Sequence, residues 1–168
     1  MLAVFSISTF YMQPFATDFT IMMQLSLALV LGALLGFERL LAGKEAGMRT
    51  FGLVSIGSCL FVIIGEVIVQ QYMAQGLLRT GGIDPLRMAS AVVTGIGFIG
   101  GGLIIFQHEL KGLTTAAVLW VASAIGVTVG FQLYTIATFT TFLTLFVTVG
   151  LWFVERFLER KVTHRKRP

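Results

Sequence analysis

Long uncharged intervals, separated by short clusters of charged residues, are the main feature of the hydrophobic and polar pattern along this chain. The first three intervals contain 19, 16 and 21 residues, and the last contains 43. Because a membrane-spanning helix needs about 20 apolar residues, each of the first three predicts one span. The last is long enough for two spans if the chain turns at Gly130-Phe131-Gln132. The intervals lie between Asp18 and Glu38, Arg49 and Glu66, Arg87 and Glu109, and Lys111 and Glu155.

The pattern therefore predicts an all-α integral membrane protein with a bundle of about five transmembrane helices. An alternative of four spans treats the long last interval as re-entrant. Composition agrees with a membrane protein, because 12% of the residues are charged and a soluble domain carries about 25%. The predicted spans cover residues 19–37, 51–68, 88–106, 113–129 and 133–153.

The distribution of Lys and Arg predicts the orientation, because cytoplasmic loops carry an excess of these residues. Six of the twelve lie in the last thirteen residues. If this tail is cytoplasmic, Arg39, Lys44, Arg49 and Lys111 lie inside with it, and Arg79 and Arg87 lie outside. We therefore expect the N-terminus outside and the C-terminus in the cytoplasm.

Three parts follow from this topology. Residues 1–18 are expected to form an outer-face segment, residues 19–154 the transmembrane domain, and residues 155–168 a basic cytoplasmic tail. The protein contacts the lipid bilayer, and the tail should attract anionic lipid headgroups. We expect no nucleic-acid partner.

The third predicted span contains five glycines within eight residues, which would cost a helix in water about 1 kcal/mol each. Gly97 and Gly101 are four residues apart, the spacing that allows two helix backbones to touch. Close packing within the bundle is one interpretation, a locally unwound helix lining a polar cavity is a second, and a self-association face is a third. The same spacing recurs twice elsewhere, so a homodimer is reasonable. The glycines are Gly95, Gly97, Gly100, Gly101 and Gly102.

A polar cluster is predicted at the cytoplasmic side of the bundle. Glu38 is expected to pair with Arg39 or Arg49, because unpaired charges at that depth are costly. Thr114 or Thr115 could cap the fourth span. The cluster serves either as an interfacial anchor or as a site for an ion, a lipid phosphate or a partner helix. Its members are Glu38, Arg39, Arg49, Thr50, Thr114 and Thr115.

Glu66 and Arg87 are the candidates for a pair at the outer face. The alternative is that Glu66 is simply a solvated interfacial acid. Since Glu38 and Glu66 are predicted at opposite faces, a magnesium cage of two carboxylates within one protomer is disfavoured. The residues assign no metal site and indicate no cofactor.

The sequence gives no support for enzymatic activity. Ser58 and Cys59 lie in the second span without a membrane-embedded base beside them. Small residues packed between helices explain them better than a nucleophile does. We therefore predict no catalytic residues.

Three blocks of residues in register resemble the MgtC/SapB family of bacterial inner-membrane proteins. The first consists of residues 36–39 (GFER) and 46–50 (AGMRT), the second of Arg87 with residues 94–102 (TGIGFIGGG), and the third of residues 111–117 (KGLTTAA). The resemblance implies the five-span, N-outside fold and a multi-pass protein of the bacterial inner membrane.

The resemblance also implies a function. Best-known members support survival in low magnesium and inside host cells, and they are thought to bind and restrain the rotary ATP synthase and other membrane proteins. We therefore expect a regulatory or stress-adaptation protein with a membrane-protein partner such as the ATP synthase. A small transporter or channel for magnesium or another cation is the alternative. The implied functional positions are Glu38, Arg39, Arg49, Thr114, Thr115 and the glycines of the third span.

The sequence departs from the family pattern at two positions within these blocks. Leu40 stands where many members have a second acidic residue, and Phe51 stands where the Arg-Thr pair is usually followed by His. Virulence-type members also carry a soluble cytosolic domain after the last span. We expect the short, SapB-like form without that domain.

Overall fold

The computed structural model describes residues 18–75, 86–107, 109–153 and 156. Within these ranges five helices account for most of the chain, and two short strands connect the third helix to the fourth. The elements are α1 (Asp18–Leu41), α2 (Met48–Ala74), α3 (Leu86–Gly102), β1 (Ile105–Gln107), β2 (Glu109–Lys111), α4 (Leu113–Gly130) and α5 (Tyr134–Leu145). After α5 the helix continues through a π-helical turn, Phe146–Gly150, to residue 153.

The prediction of a five-helix membrane bundle is confirmed. Four helices are long and apolar enough to cross a membrane, and α3 is a shorter apolar helix of 17 residues. The long last interval forms two helices that turn at the predicted place: Gln132 adopts a left-handed conformation with φ of 62°. The amide of Leu133 donates to the carbonyl of Thr128, which closes the end of α4.

Two predicted spans end at the wrong residue. The second was expected to end at Ile68, but α2 continues to Ala74. The third was expected to reach Phe106, but α3 ends at Gly102 and the chain enters a small antiparallel hairpin. The amides of Leu103 and Ile104 bond three residues back, to Gly100 and Gly101, which tightens the last turn. A glycine-rich end has low helix propensity, so the helix stops before the apolar residues do.

The connection from the hairpin to α4 depends on Gly112. Its φ of +88° lies in the left-handed region, and a Cβ atom there would collide with the carbonyl oxygen of Leu103. Any other residue would therefore be both strained and in collision.

Helix α4 is the centre of the bundle, because it packs against all four other helices. The C-terminal end of α4 is held against α1 by Gln24. This buried amide donates to the carbonyl oxygens of Val129 and Gly130 at 3.3 and 3.2 Å. Since Gln24 lies near the start of α1 and those carbonyls end α4, the two helices are antiparallel.

The tightest packing between helices follows one row of carbonyl groups that begins at Gly47, the N-cap residue of α2, and continues along α2. The row is spaced by four residues, and two glycine pairs, one from α1 and one from α4, lie against it. A Cβ atom at any of these glycines would come within 3.1 Å of a carbonyl oxygen in the row, so only glycine permits the approach. The contacts are Gly36 with Gly47, Gly32 with Phe51, Gly126 with Ser55, and Gly130 with Cys59.

Candidate functional site

Glu38 and Arg39 form a bidentate ion pair at the end of α1. The guanidinium Nε and Nη2 atoms donate to the two carboxylate oxygens at 2.5 and 2.6 Å. The Arg39 side chain is 6% exposed and that of Glu38 is 15% exposed. Replacing either partner with an apolar residue would leave a nearly buried charge without its hydrogen-bonded partner, which is strongly destabilising. Of the two predicted partners for Glu38, the structure selects Arg39.

The other predicted members of the cytoplasmic cluster lie at the same end of the bundle. Fifteen residues separate Gln24 from Arg39, and fifteen separate Thr115 from Gly130, so Arg39 and Thr115 lie at a similar level, about 22 Å from the Gln24 contact. Thr115 is buried, Thr50 is half-buried, and Arg49 and Thr114 are exposed. Glu38 with Arg39 is the ion pair that the described residues form, so Arg49 carries a charge without a carboxylate partner among them.

The expectation that Thr114 or Thr115 caps α4 is wrong. The N-cap residue is Gly112, and no side chain bonds to the free amides of the first turn. Because the left-handed Gly112 closes the hairpin against α4, it occupies the position that a capping side chain would otherwise take.

Glu66 and Arg87 lie on neighbouring helices at the opposite end. A Cβ atom at Gly65 would be 2.8 Å from Cγ of Met88, so α2 and α3 touch beside both charged residues. Glu66 is half-buried and Arg87 is exposed. They form no ion pair in the part of the chain that the structure describes. In that same part, no group of three His, Cys, Asp or Glu residues comes together as metal ligands.

The glycines of the third span lie on α3, where the helix is continuous through the whole segment. The unwound-helix interpretation is therefore not the conformation of this structure. Among the described residues, a Cβ atom at Gly95, Gly97, Gly101 or Gly102 would meet nothing within 4 Å. Gly100 has only distant contacts there, at 3.9 Å from Ala116. Packing against the described part of the bundle therefore does not explain why these residues are glycines.

One exposed stripe of α3 combines two of these glycines with three larger residues, and we call it the open glycine face. Phe98 is 89% exposed, and the Thr94 hydroxyl donates to the carbonyl of Ser90 within the same helix at 3.0 Å. Another helix could approach the backbone of α3 closely at these glycines, and the aromatic side chain of Phe98 lies beside them. Its residues are Ser90, Thr94, Gly97, Phe98 and Gly101, all exposed.

Sequence reasoning missed Gln24 and Ser123. Each is a buried polar side chain within an apolar helix, and each bonds across helices: Gln24 to α4, and the Ser123 hydroxyl to that of Ser58 at 2.8 Å. The available signal was an isolated amide in the first span, since a buried polar group in lipid needs a partner. The interpretation of Ser58 and Cys59 as packed small residues agrees with their burial.

Most of the basic tail lies outside the described residues. Of its predicted lipid-binding residues, Arg156 is described, and its guanidinium lies 4.7 Å from the centroid of the Trp152 ring. The predicted N-terminal segment falls outside the described residues except for Asp18, with which α1 begins.

Comparison with known proteins confirms the resemblance. The sequence model of the MgtC family matches residues 25–157. The chain is 40% identical over 125 residues to the "Putative magnesium transporter YhiD" of Escherichia coli, covering 74% of this chain and 57% of the relative. It is 36% identical over 143 residues to "Protein SrpB" of Synechococcus elongatus, covering 79% and 75%.

A third relative is "Protein MgtC" of Brucella abortus, 37% identical over 115 residues, covering 68% of this chain and 44% of the relative. The chain thus spans about half the length of the YhiD and MgtC relatives. No solved structure matches it. Together with the four long apolar helices, these matches identify a multi-pass membrane protein.

Proposed function

Because the chain belongs to the MgtC family, we propose that it is a regulatory or stress-adaptation protein of the bacterial inner membrane, without enzymatic activity. In this proposal it acts by packing the open glycine face against another membrane helix. The partner is a second copy of the chain or another inner-membrane protein, for which the rotary ATP synthase is the family-based candidate. The N-terminus would lie outside and the C-terminus in the cytoplasm.

The observation that carries the proposal is the difference between the three glycine pairs of the chain. Gly32 with Gly36 and Gly126 with Gly130 lie against carbonyl groups of Gly47 and α2, whereas Gly97 and Gly101 meet no atom within 4 Å in the part of the chain that the structure describes. The first two pairs show what such pairs do in this protein, which is to bring a neighbouring backbone into contact. In lipid, small residues at this spacing favour helix association because they permit close van der Waals contact.

Cross-linking in membranes tests the proposal. Thr94 on the open glycine face is replaced by Cys in a Cys59→Ala background, the thiol is labelled with a photoreactive benzophenone maleimide, and membranes are irradiated at low protein density. We expect a cross-linked product, either a dimer or a larger complex, because an occupied face would bring this thiol near a partner helix. Gly97→Leu should abolish that product by steric exclusion.

The matched control is Gly57→Leu in α2. A Cβ atom at Gly57 would also meet nothing within 4 Å among the described residues, but Gly57 has no glycine four residues away. This variant should leave the cross-linked product unchanged. If Gly97→Leu assembles as fully as the parent while remaining folded, the open glycine face is not the contact surface.

A transporter is the second candidate, favoured by the name of the YhiD relative. In that case the half-buried end of α1 would be the site, with the Glu38 carboxylate released from Arg39 to meet a cation. Glu38→Gln should then alter ion flux more than it alters folding. The bidentate pair weakens this candidate, because a cation at Glu38 would have to displace two hydrogen bonds from Arg39.

A further inference from the structure

The end of the bundle that carries Glu38 and Arg39 also carries four exposed cations. Lys44 lies in the turn between α1 and α2, Arg49 lies in the first turn of α2, and Lys111 ends the hairpin just before α4. Since α5 runs back from the end of α4, Arg156 arrives at this same end. We call these four residues the cationic end.

Within the described residues these cations have no carboxylate partners, because the ion pair formed there joins Arg39 to Glu38. Because Glu38 is already paired with Arg39, its carboxylate is not available to pair with the four cations. Glu45 is the other acid at this end whose side chain the structure describes, so the four described cations outnumber the free carboxylates described there. At the opposite end, Asp18 and Glu66 accompany the single described cation Arg87.

Aromatic side chains beside Arg156 indicate the level at which the cationic end meets the bilayer. Trp152 and Phe153 are 46% and 62% exposed, and their rings form an edge-to-face pair with centroids 5.0 Å apart. Exposed tryptophan at a helix end is typical of the headgroup region. Because a guanidinium stacked on a ring keeps its in-plane N–H groups free, Arg156 can still donate to a phosphate.

We propose that the cationic end binds the headgroups of anionic phospholipids, with Arg156 on Trp152 as one contact point. The guanidinium would donate to the lipid phosphate, and Lys44, Arg49 and Lys111 would add long-range attraction to the net negative headgroup. Phosphatidylglycerol provides this chemistry, whereas zwitterionic phosphatidylcholine offers the same phosphate without net charge. The proposal requires only that these residues share one end and is independent of the partner of α3.

Quenching of Trp152 fluorescence by brominated lipids tests the proposal. The chain with Trp120→Phe, which leaves Trp152 as the sole tryptophan, is reconstituted in phosphatidylcholine vesicles. Brominated phosphatidylglycerol or brominated phosphatidylcholine is then added at equal mole fractions. We expect phosphatidylglycerol to quench with several-fold higher relative affinity, and added salt to reduce this preference because it screens exposed charges.

Variants at the two ends assign the effect to residues. Arg156→Gln should lower the preference about fivefold, the value for one basic residue near an anionic surface, and Arg156→Lys should retain most of it. The matched control is Arg87→Gln at the opposite end, which should leave the preference unchanged. Equal quenching by both lipids in the parent would overturn the proposal, as would an equal loss in Arg87→Gln and Arg156→Gln.

Discussion

Three serine hydroxyls lie where α2 crosses α4, and they differ in their bonding. The Ser58 hydroxyl bonds to that of Ser123 at 2.8 Å and also donates to the carbonyl of Val54 at 2.8 Å. The Ser55 hydroxyl is fully buried and has no hydrogen-bond partner among the described residues. A buried hydroxyl without a hydrogen bond destabilises a fold, so what Ser55 contributes is a small side chain where Gly32 and Gly126 approach α2.

This difference predicts opposite effects of two alanine substitutions. Ser55→Ala should leave the free energy of unfolding unchanged or raise it, because an unpaired polar group is removed. Ser58→Ala should lower it by about 1 kcal/mol, because Ser123 loses its partner. Reversible unfolding in mixed micelles measures both. A greater loss in Ser55→Ala than in Ser58→Ala would show that Ser55 has a bonding role.

Gln24 is the side chain that ties α1 to the end of α4. Gln24→Leu keeps the side chain similar in size but removes the donor for the carbonyls of Val129 and Gly130, so we expect a loss of about 1–3 kcal/mol. Ser26→Ala is the control, because this exposed hydroxyl bonds only within its own helix, to Met22. The same unfolding measurement should show little change in the control. Equal losses in the two variants would contradict the stabilising role of the hydrogen bonds from Gln24 to α4.

At the scale of the elements, the helices divide into two groups by how their glycines are used. The glycine pairs of α1 and α4 pack against the backbone of α2, whereas the pair on α3 lies on an exposed surface of the described bundle. Gly126→Ala should therefore lower the unfolding temperature, because its Cβ would collide with the Ser55 carbonyl. Gly97→Ala in the detergent-solubilised monomer should not lower it, because the position is open and alanine favours the helix.

The comparison between these two alanine variants is informative because the substitution is the same. If Gly97→Ala destabilised the monomer as much as Gly126→Ala, α3 would be packed within the chain and its face would not be open. The assembly proposal would then lose its basis.

At the scale of the whole molecule, the number and approximate position of the helices could be predicted from the spacing of charged residues. The central apolar part of each helix lies in an interval bounded by charges, because charges are excluded from lipid, although α2 continues eight residues beyond Glu66. The Glu38–Arg39 pair follows from the same cost. The use of each glycine could not be predicted, because Gly32 with Gly36 and Gly97 with Gly101 share one spacing. Only the position of a neighbouring helix distinguishes them. The end of α3 at Gly102 was also missed, because apolar residues continue to Phe106.

The central claim is that the chain acts through helix contacts and does not itself carry ions. The most direct measurement is magnesium flux into sealed liposomes containing folded protein and an enclosed fluorescent indicator. We expect no flux above that of protein-free liposomes, in the parent, in Glu38→Gln and in the control Glu45→Gln, whose carboxylate is exposed at the same end. Magnesium entry in the parent that Glu38→Gln removes and Glu45→Gln leaves intact would contradict the claim and make the end of α1 a transport site.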